Sequence, residues 1–232
     1  MREPQAASTR AVVTALLMFI APAVVDAQLR APMSRPDHGW WLSGGVGATV
    51  LGDITDGASN SSWRFGTDPQ LQSRLTLEKA LAEFTSLGVG VGFGRADLLL
   101  ASTASGNNTH LPAACQTRCA ARAEVWTGMA QFRSGGGTGF HTLFEANAGA
   151  TAFRRFSVIE DNAPVTGIAR AIDLTGTLGA GFGYPFSRDV VLALVQDFGI
   201  GFHAKTGLPE GTGRSWRIRT TRAALRIRYG GR

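Results

Sequence analysis

The sequence predicts an all-β protein, an eight-stranded antiparallel up-and-down transmembrane β-barrel. Three observations predict it. Apolar residues recur with period two over eight segments, each at least the roughly 9–11 residues that a tilted strand needs to cross a bilayer. The connections between these segments alternate long and short. The parity opposite the apolar one carries glycines and charged residues, which neither a membrane helix nor a flexible linker would show at alternate positions.

The clearest unit is Asp173 to Phe202. Leu174, Leu178, Ala180, Phe182 and Tyr184 share one parity, and Val190, Leu192, Leu194, Phe198, Ile200 and Phe202 share another across a turn at Pro185 to Asp189. This hairpin supplies the sixth and seventh strands. Upstream, Arg2 and Arg10 precede the apolar run Ala11 to Val25, and Val25-Asp26-Ala27 fits a small-residue cleavage site. Residues 1–27 are therefore expected to be a cleaved signal peptide, 28–39 a periplasmic N-terminal tail, and 40–229 the barrel.

The first strand is expected from Trp40 to Val50. A loop dense in Asp, Gly, Asn and Ser follows, residues 51–69. The second strand, about Gln70 to Leu81, sets Leu71, Leu75, Leu77 and Leu81 against Arg74 and Glu78. After a short turn the third alternates Leu87, Val89, Val91 and Phe93 with Gly88, Gly90, Gly92 and Gly94, and its parity is expected to fail at Ala96 to Leu100 through a bulge or exit from the bilayer. A second long loop, Ala101 to Ala120, holds both cysteines. The fourth strand, Ala121 to Phe132, has the weakest pattern. Placing Arg122 and Glu124 inside puts Ala123, Val125 and Met129 outside. The fifth, Phe140 to Phe153, turns Phe144, Ala146, Ala148, Ala150 and Ala152 away from Glu145, Asn147, Gly149 and Thr151. The eighth, Ser215 to Tyr229, ends with Ala223, Leu225, Ile227 and Tyr229 against Arg222, Arg226 and Arg228.

An even strand number closes the sheet without an unpaired edge, which lipid requires because it satisfies no exposed backbone group. The charged parity cannot line an apolar cavity without large desolvation costs, so the apolar parity faces lipid. Two aromatic girdles are expected, one from Trp40, Phe132, Phe140, Tyr184, Phe186 and Tyr229 near the short turns. The other comprises Trp63, Phe153, Phe156, Phe202 and Trp216 near the long loops.

With this pattern over residues 40–229, the chain resembles the small eight-stranded outer-membrane barrels of the OmpA, OmpX and OmpW type, Tyr229 standing near the end as an aromatic strand signal. The resemblance implies location in the outer membrane, insertion by barrel-assembly machinery, a monomer, and no cofactor. The expected function is a non-enzymatic structural, adhesive or envelope-integrity role with long extracellular loops. Two alternatives stay open. One is a small-molecule channel or lateral-diffusion pore of the OmpW type. The other is a lipid A-modifying hydrolase or acyltransferase, for which His203, Ser215 and Glu210 offer the residue types.

Inside an eight-stranded barrel there is just room for side chains, so Arg74, Glu78, Glu124, Glu145, Asp197, Arg222 and Arg226 are expected to form a salt-bridged lumen network. Gly88-Val-Gly90-Val-Gly92-Phe-Gly94 continues a strand instead of opening a helix, which speaks against a nucleotide loop. The inward glycines make room for long neighbours. Cys115 and Cys119 lack the partners of a metal site, and export favours a disulfide if the loop makes a helical turn. The formal charge is +6, and the signal segment carries equal numbers of acids and bases. In an exported chain this excess points to membrane phosphates and away from nucleic acid. The bases gather at the long-loop end, with Arg64, Arg118, Arg122, Arg170 and Lys205 among them. Outer-membrane lipid, lipopolysaccharide in particular, is the expected partner of Arg154, Arg155, Arg214, Arg217 and Arg219.

Overall fold

Every barrel strand pairs with its neighbour in antiparallel register, and the first also pairs with the last, so the sheet closes on itself. The computed structural model describes residues 39–104, 111–168, 171–204, 206–208 and 214–230. The signal segment 1–27, residues 28–38 of the tail, Arg170, Lys205 and Glu210 lie outside the described residues.

The barrel strands are β1 (Trp40–Leu51), β4 (Gln70–Ala82), β5 (Thr85–Ser102), β6 (Cys119–Ser134), β7 (His141–Val158), β8 (Ala171–Ser187), β9 (Val190–Phe202) and β10 (Ser215–Tyr229). Between β1 and β4 the first long loop folds into a small hairpin, β2 (Ile54–Asp56) and β3 (Ser61–Arg64), and β3 pairs with the far end of β5. One short helix, α1 (Ala113–Thr117), lies between β5 and β6. The turns at the other end are short; two residues, Glu83 and Phe84, join β4 to β5.

The outward parity is apolar around the ring: Leu71, Val89, Phe144, Leu174, Leu194 and Ile227 are all exposed. A folded chain that exposes so large a continuous apolar belt, while burying Glu78, Glu145 and Arg222, is built for a lipid surround. The short-turn girdle is in place, with Trp40, Phe132, Phe140, Tyr184, Phe186 and Tyr229 exposed.

The long-loop girdle requires correction. Trp63, Phe153, Phe156 and Trp216 are buried inside the barrel mouth, and of that set only Phe202 faces outward. Trp63 packs edge-on against Phe153 at 5.6 Å between centroids, and Phe153 against Trp216 at 5.5 Å. With Leu98, Leu100, Cys115, Ala121 and Val125 they close the upper lumen with an apolar cap. A Cβ on Gly201 would collide with the Trp216 indole, so glycine is required there for the cap to close.

The same cap explains two further differences. Strand β5 has no bulge at Ala96 to Leu100: it pairs with β6 without a register shift from Thr85↔Ser134 to Leu100↔Cys119. Its inward parity simply changes from glycine to Ala96, Leu98 and Leu100 where the interior becomes apolar. Strand β6 has the opposite facing to the one expected. Ala121, Ala123, Val125, Met129, Gln131 and Arg133 point in, while Arg122 is exposed and Glu124 belongs to the outer face. Above the lipid, water lies outside and the cap inside, so polarity inverts along the strand; β6 stays in register with β5 there, while its pairing with β7 shifts between Arg122 and Glu124, opposite Arg155.

Candidate functional site: the lumen and the outer rim

Below the cap, six charges alternate in one chain across the lumen. Arg226 contacts Glu78 at 2.7 Å, Arg133 lies 3.6 Å from Glu78 and 2.6 Å from Glu145, Glu145 also holds Arg222, and Arg222 Nε reaches Asp197 at 3.2 Å. All six are buried. Each carboxylate therefore faces at least one guanidinium, the condition under which ions survive in a low-dielectric interior. Neutral groups complete the set. Ser86 donates to Glu78 at 2.6 Å, and Arg74 donates to Gln131 Oε1 at 2.7 Å and Asn147 Oδ1 at 2.6 Å. The Arg226 guanidinium also lies over the Trp41 ring at 4.5 Å. Gly88 leaves the space that Glu78 occupies, since a Cβ there would sit 2.7 Å from Glu78 Cα.

Thus Arg74, Glu78, Glu145, Asp197, Arg222 and Arg226 meet in the lumen, Arg74 through amides instead of a carboxylate. Glu124 does not join them. It lies on the outer face 3.3 Å from Arg155, because the odd residues of β6 point inward. Arg133 and Gln131 take part instead. They share the parity of Ala123, Val125 and Met129, which the sequence pattern placed outside, and the polar end of that parity is the signal that could have found them.

A second polar cluster ties the first loop to the wall at the level of the cap. His203 Nδ1 is 2.8 Å from Asp173 Oδ1 and its Nε2 is 3.4 Å from Asp56 Oδ1. Trp216 donates to Asp173 at 2.7 Å, Ser59 donates to Asp56 at 2.5 Å, and Trp63 donates to Ser61 at 2.8 Å. Burial alone would lower the His203 pKa, but the hydrogen bonds and charges of Asp173 and Asp56 prevail and raise it to about 9. Burial would likewise raise Asp56, yet His203, Ser59 and the Ala58 N–H hold it below the ordinary carboxylate range.

At neutral pH His203 is then a cation between two acids. Its folded-state value exceeds its ordinary 6.5, so the stabilisation is complete below about pH 6.5 and is lost as pH rises through about 9. Tryptophan emission from Trp63 and Trp216 is expected to shift over that alkaline window as the β2–β3 hairpin loosens, and to stay flat there in His203→Gln. An identical alkaline shift in both proteins would refute the linkage.

Of the hydrolase candidates, the two described residues do not face one another. His203 is buried and turned inward, whereas Ser215 is exposed on the opposite parity of β10. Cys115 and Cys119 are joined, their Cα atoms 4.6 Å apart, because α1 turns the chain back at that point. At the rim, Arg122 and Asp97 form a two-pronged pair at 2.5 and 2.9 Å. Arg155, with left-handed φ of 48°, is mostly exposed beside Glu124, and Arg154 is half-buried. Arg214, Arg217 and Arg219 are exposed and form no ion pair among the described residues. Arg219 lies over the Phe198 ring at 5.8 Å.

No family model matches the sequence, and no curated protein does. Solved structures similar to it include Neisserial surface protein A, with TM-score 0.47 and 10% identity over 82% of this chain and 97% of that one. Ail of Yersinia pestis gives TM-score 0.44 and 11% identity over 83% and 99%. OprG from Pseudomonas aeruginosa gives 0.40 and 10% over 87% and 100%. The closure of the sheet, the lipid-facing belt and the buried charges in this chain itself make it an eight-stranded β-barrel of the outer membrane.

Proposed function

We propose that the protein is a non-conducting, non-enzymatic barrel that supports envelope integrity, presents its long loops outside the cell and engages anionic lipid at its rim. The observation that carries this reading is the doubly closed lumen, a buried chain of six alternating charges below an apolar cap. In planar bilayers the reconstituted protein is expected to give no large, steady conductance; porin-like steps would overturn the reading. The barrel works as a monomer, inserted by barrel-assembly machinery. Its lipid partner is lipopolysaccharide, whose phosphates suit the guanidiniums of Arg154, Arg155, Arg214, Arg217 and Arg219. Changing these five to glutamine is expected to lower co-purifying lipopolysaccharide and raise sensitivity to chelators, with heat-modifiable migration retained. Equal lipid content in variant and parent would count against it.

One observation favours a second reading, sideways passage of a small apolar solute. Strand β4 pairs with β5 only as far as Gln72↔Gly94, and β3 resumes the pairing at Leu99. Between them the wall is bridged by Asp97 N–H donating to Gln70 Oε1 at 3.3 Å. A cavity of about 40 Å³ lies there, lined by Leu51, Leu71, Ala96, Val125 and Trp216. Uptake of an apolar solute by cells expressing the protein, abolished by Leu71→Trp, would support it.

A further inference from the structure

The lipid face of the barrel is not evenly convex. A groove of about 570 Å³, within the range of roughly 300–1,000 Å³ typical of small-molecule sites, crosses β6 to β9. Its floor is low at Ala146, Ala148 and Gly176 of β7 and β8, with Leu178 beside them, Phe132 and Leu87 at one end and Phe198 and Ile200 at the other.

Strand pairing defines where this groove leads. Leu87, Phe132, Ala146, Leu178, Phe198 and Arg219 are successive register partners from β5 to β10. The parallel line one pleat away runs through Ala148, Gly176 and Ile200 to Arg217. Because the strands tilt, the line climbs. Leu87 lies two residues from the start of β5 at the short-turn end, whereas Arg219, on the same line, lies four residues from the start of β10 at the long-loop end. Five strand spacings of about 4.8 Å make the line roughly 24 Å long. From the end of the apolar trough at Phe198 and Ile200, the same two lines reach Arg219 and Arg217 on the next strand.

Those guanidiniums are misplaced for a bare lipid surface. Arg217 and Arg219 share the outward parity with Leu225 and Ile227, and neither meets a carboxylate among the described residues. A cation on that face is best tolerated near the interface and beside an anion.

We infer that the groove and the Arg217–Arg219 pair form one lipid site: an acyl chain lies in the trough and the phosphate of the same molecule is held by the two arginines. The occupant is a phosphorylated acyl lipid of the outer leaflet, lipid A. This rests on the reading above that the rim meets anionic lipid, and it assigns that contact to two of the five arginines and to a defined chain path.

The test is native mass spectrometry of the whole barrel titrated with lipid A. Wild type is expected to retain one lipid A per barrel. Arg217→Gln/Arg219→Gln is expected to weaken retention about tenfold or more, as loss of charge-assisted hydrogen bonds implies. Ala146→Leu/Ala148→Leu, which fills the trough and leaves every charge in place, is expected to weaken it comparably. Heat-modifiable migration of each variant confirms folding. Retention unchanged in the trough-filled variant overturns the site. If retention then falls only with Arg154→Gln/Arg155→Gln, the rim reading stands while this site is wrong; if none of these variants lowers retention, both fail.

Discussion

Glu145→Gln is expected to destabilise the barrel by about 3–5 kcal/mol, the range measured when one partner of a buried ion pair is removed. The size follows from position. Glu145 is fully buried and contacts both Arg133 and Arg222, so its loss takes one carboxylate partner from each of two enclosed cations at once. Replacing Glu145 and Arg133 together by leucine is expected to recover at least half of that loss, because the remaining charges still pair as Arg226 with Glu78 and Arg222 with Asp197. Urea-induced unfolding in lipid vesicles, followed by gel migration, measures both. A double variant as unstable as the sum of its single variants would show that the six charges do not act as a chain.

The second large effect concerns the cap. Trp63 has no exposed surface, packs against Phe153, Phe156 and His203, and donates to Ser61. Trp63→Ala leaves a cavity under the β2–β3 hairpin and is expected to cost about 3–5 kcal/mol. Because that hairpin belongs to a loop, the loss is expected to appear first as local opening, with cleavage of residues 54–64 by an added protease while the membrane strands stay protected. Cleavage no faster than in wild type would mean that the cap does not hold the loop.

Much of this architecture was legible because a strand in lipid has one simple rule. Where lipid lies outside and polar side chains inside, alternation of polarity reports facing directly, and β4, β7, β8, β9 and β10 follow it, with Arg74, Glu78, Glu145, Asp197, Arg222 and Arg226 where their parity puts them. The rule fails where the strands outgrow the membrane. Over Arg95 to Leu100 and Ala121 to Val125 the outside is water and the inside is a hydrophobic cap, so an apolar residue there means inward. That reversal moved Glu124 out of the lumen, brought Arg133 in, and turned Trp63, Phe153, Phe156 and Trp216 from a girdle into a core.

By itself the sequence determined strand number, closure, the lipid-facing parity and the rim excess of arginine, since each depends on period two, chain length and the cost of unpaired backbone in lipid. Tertiary structure alone decided which charge meets which, that Asp56 from the first loop reaches His203 beyond β9, and that Ala146, Leu178 and Arg219 lie along one line. The reason is register: these contacts join residues up to 148 positions apart, as Arg226 and Glu78 are, and the stagger that aligns them is set by pairing around the closed ring.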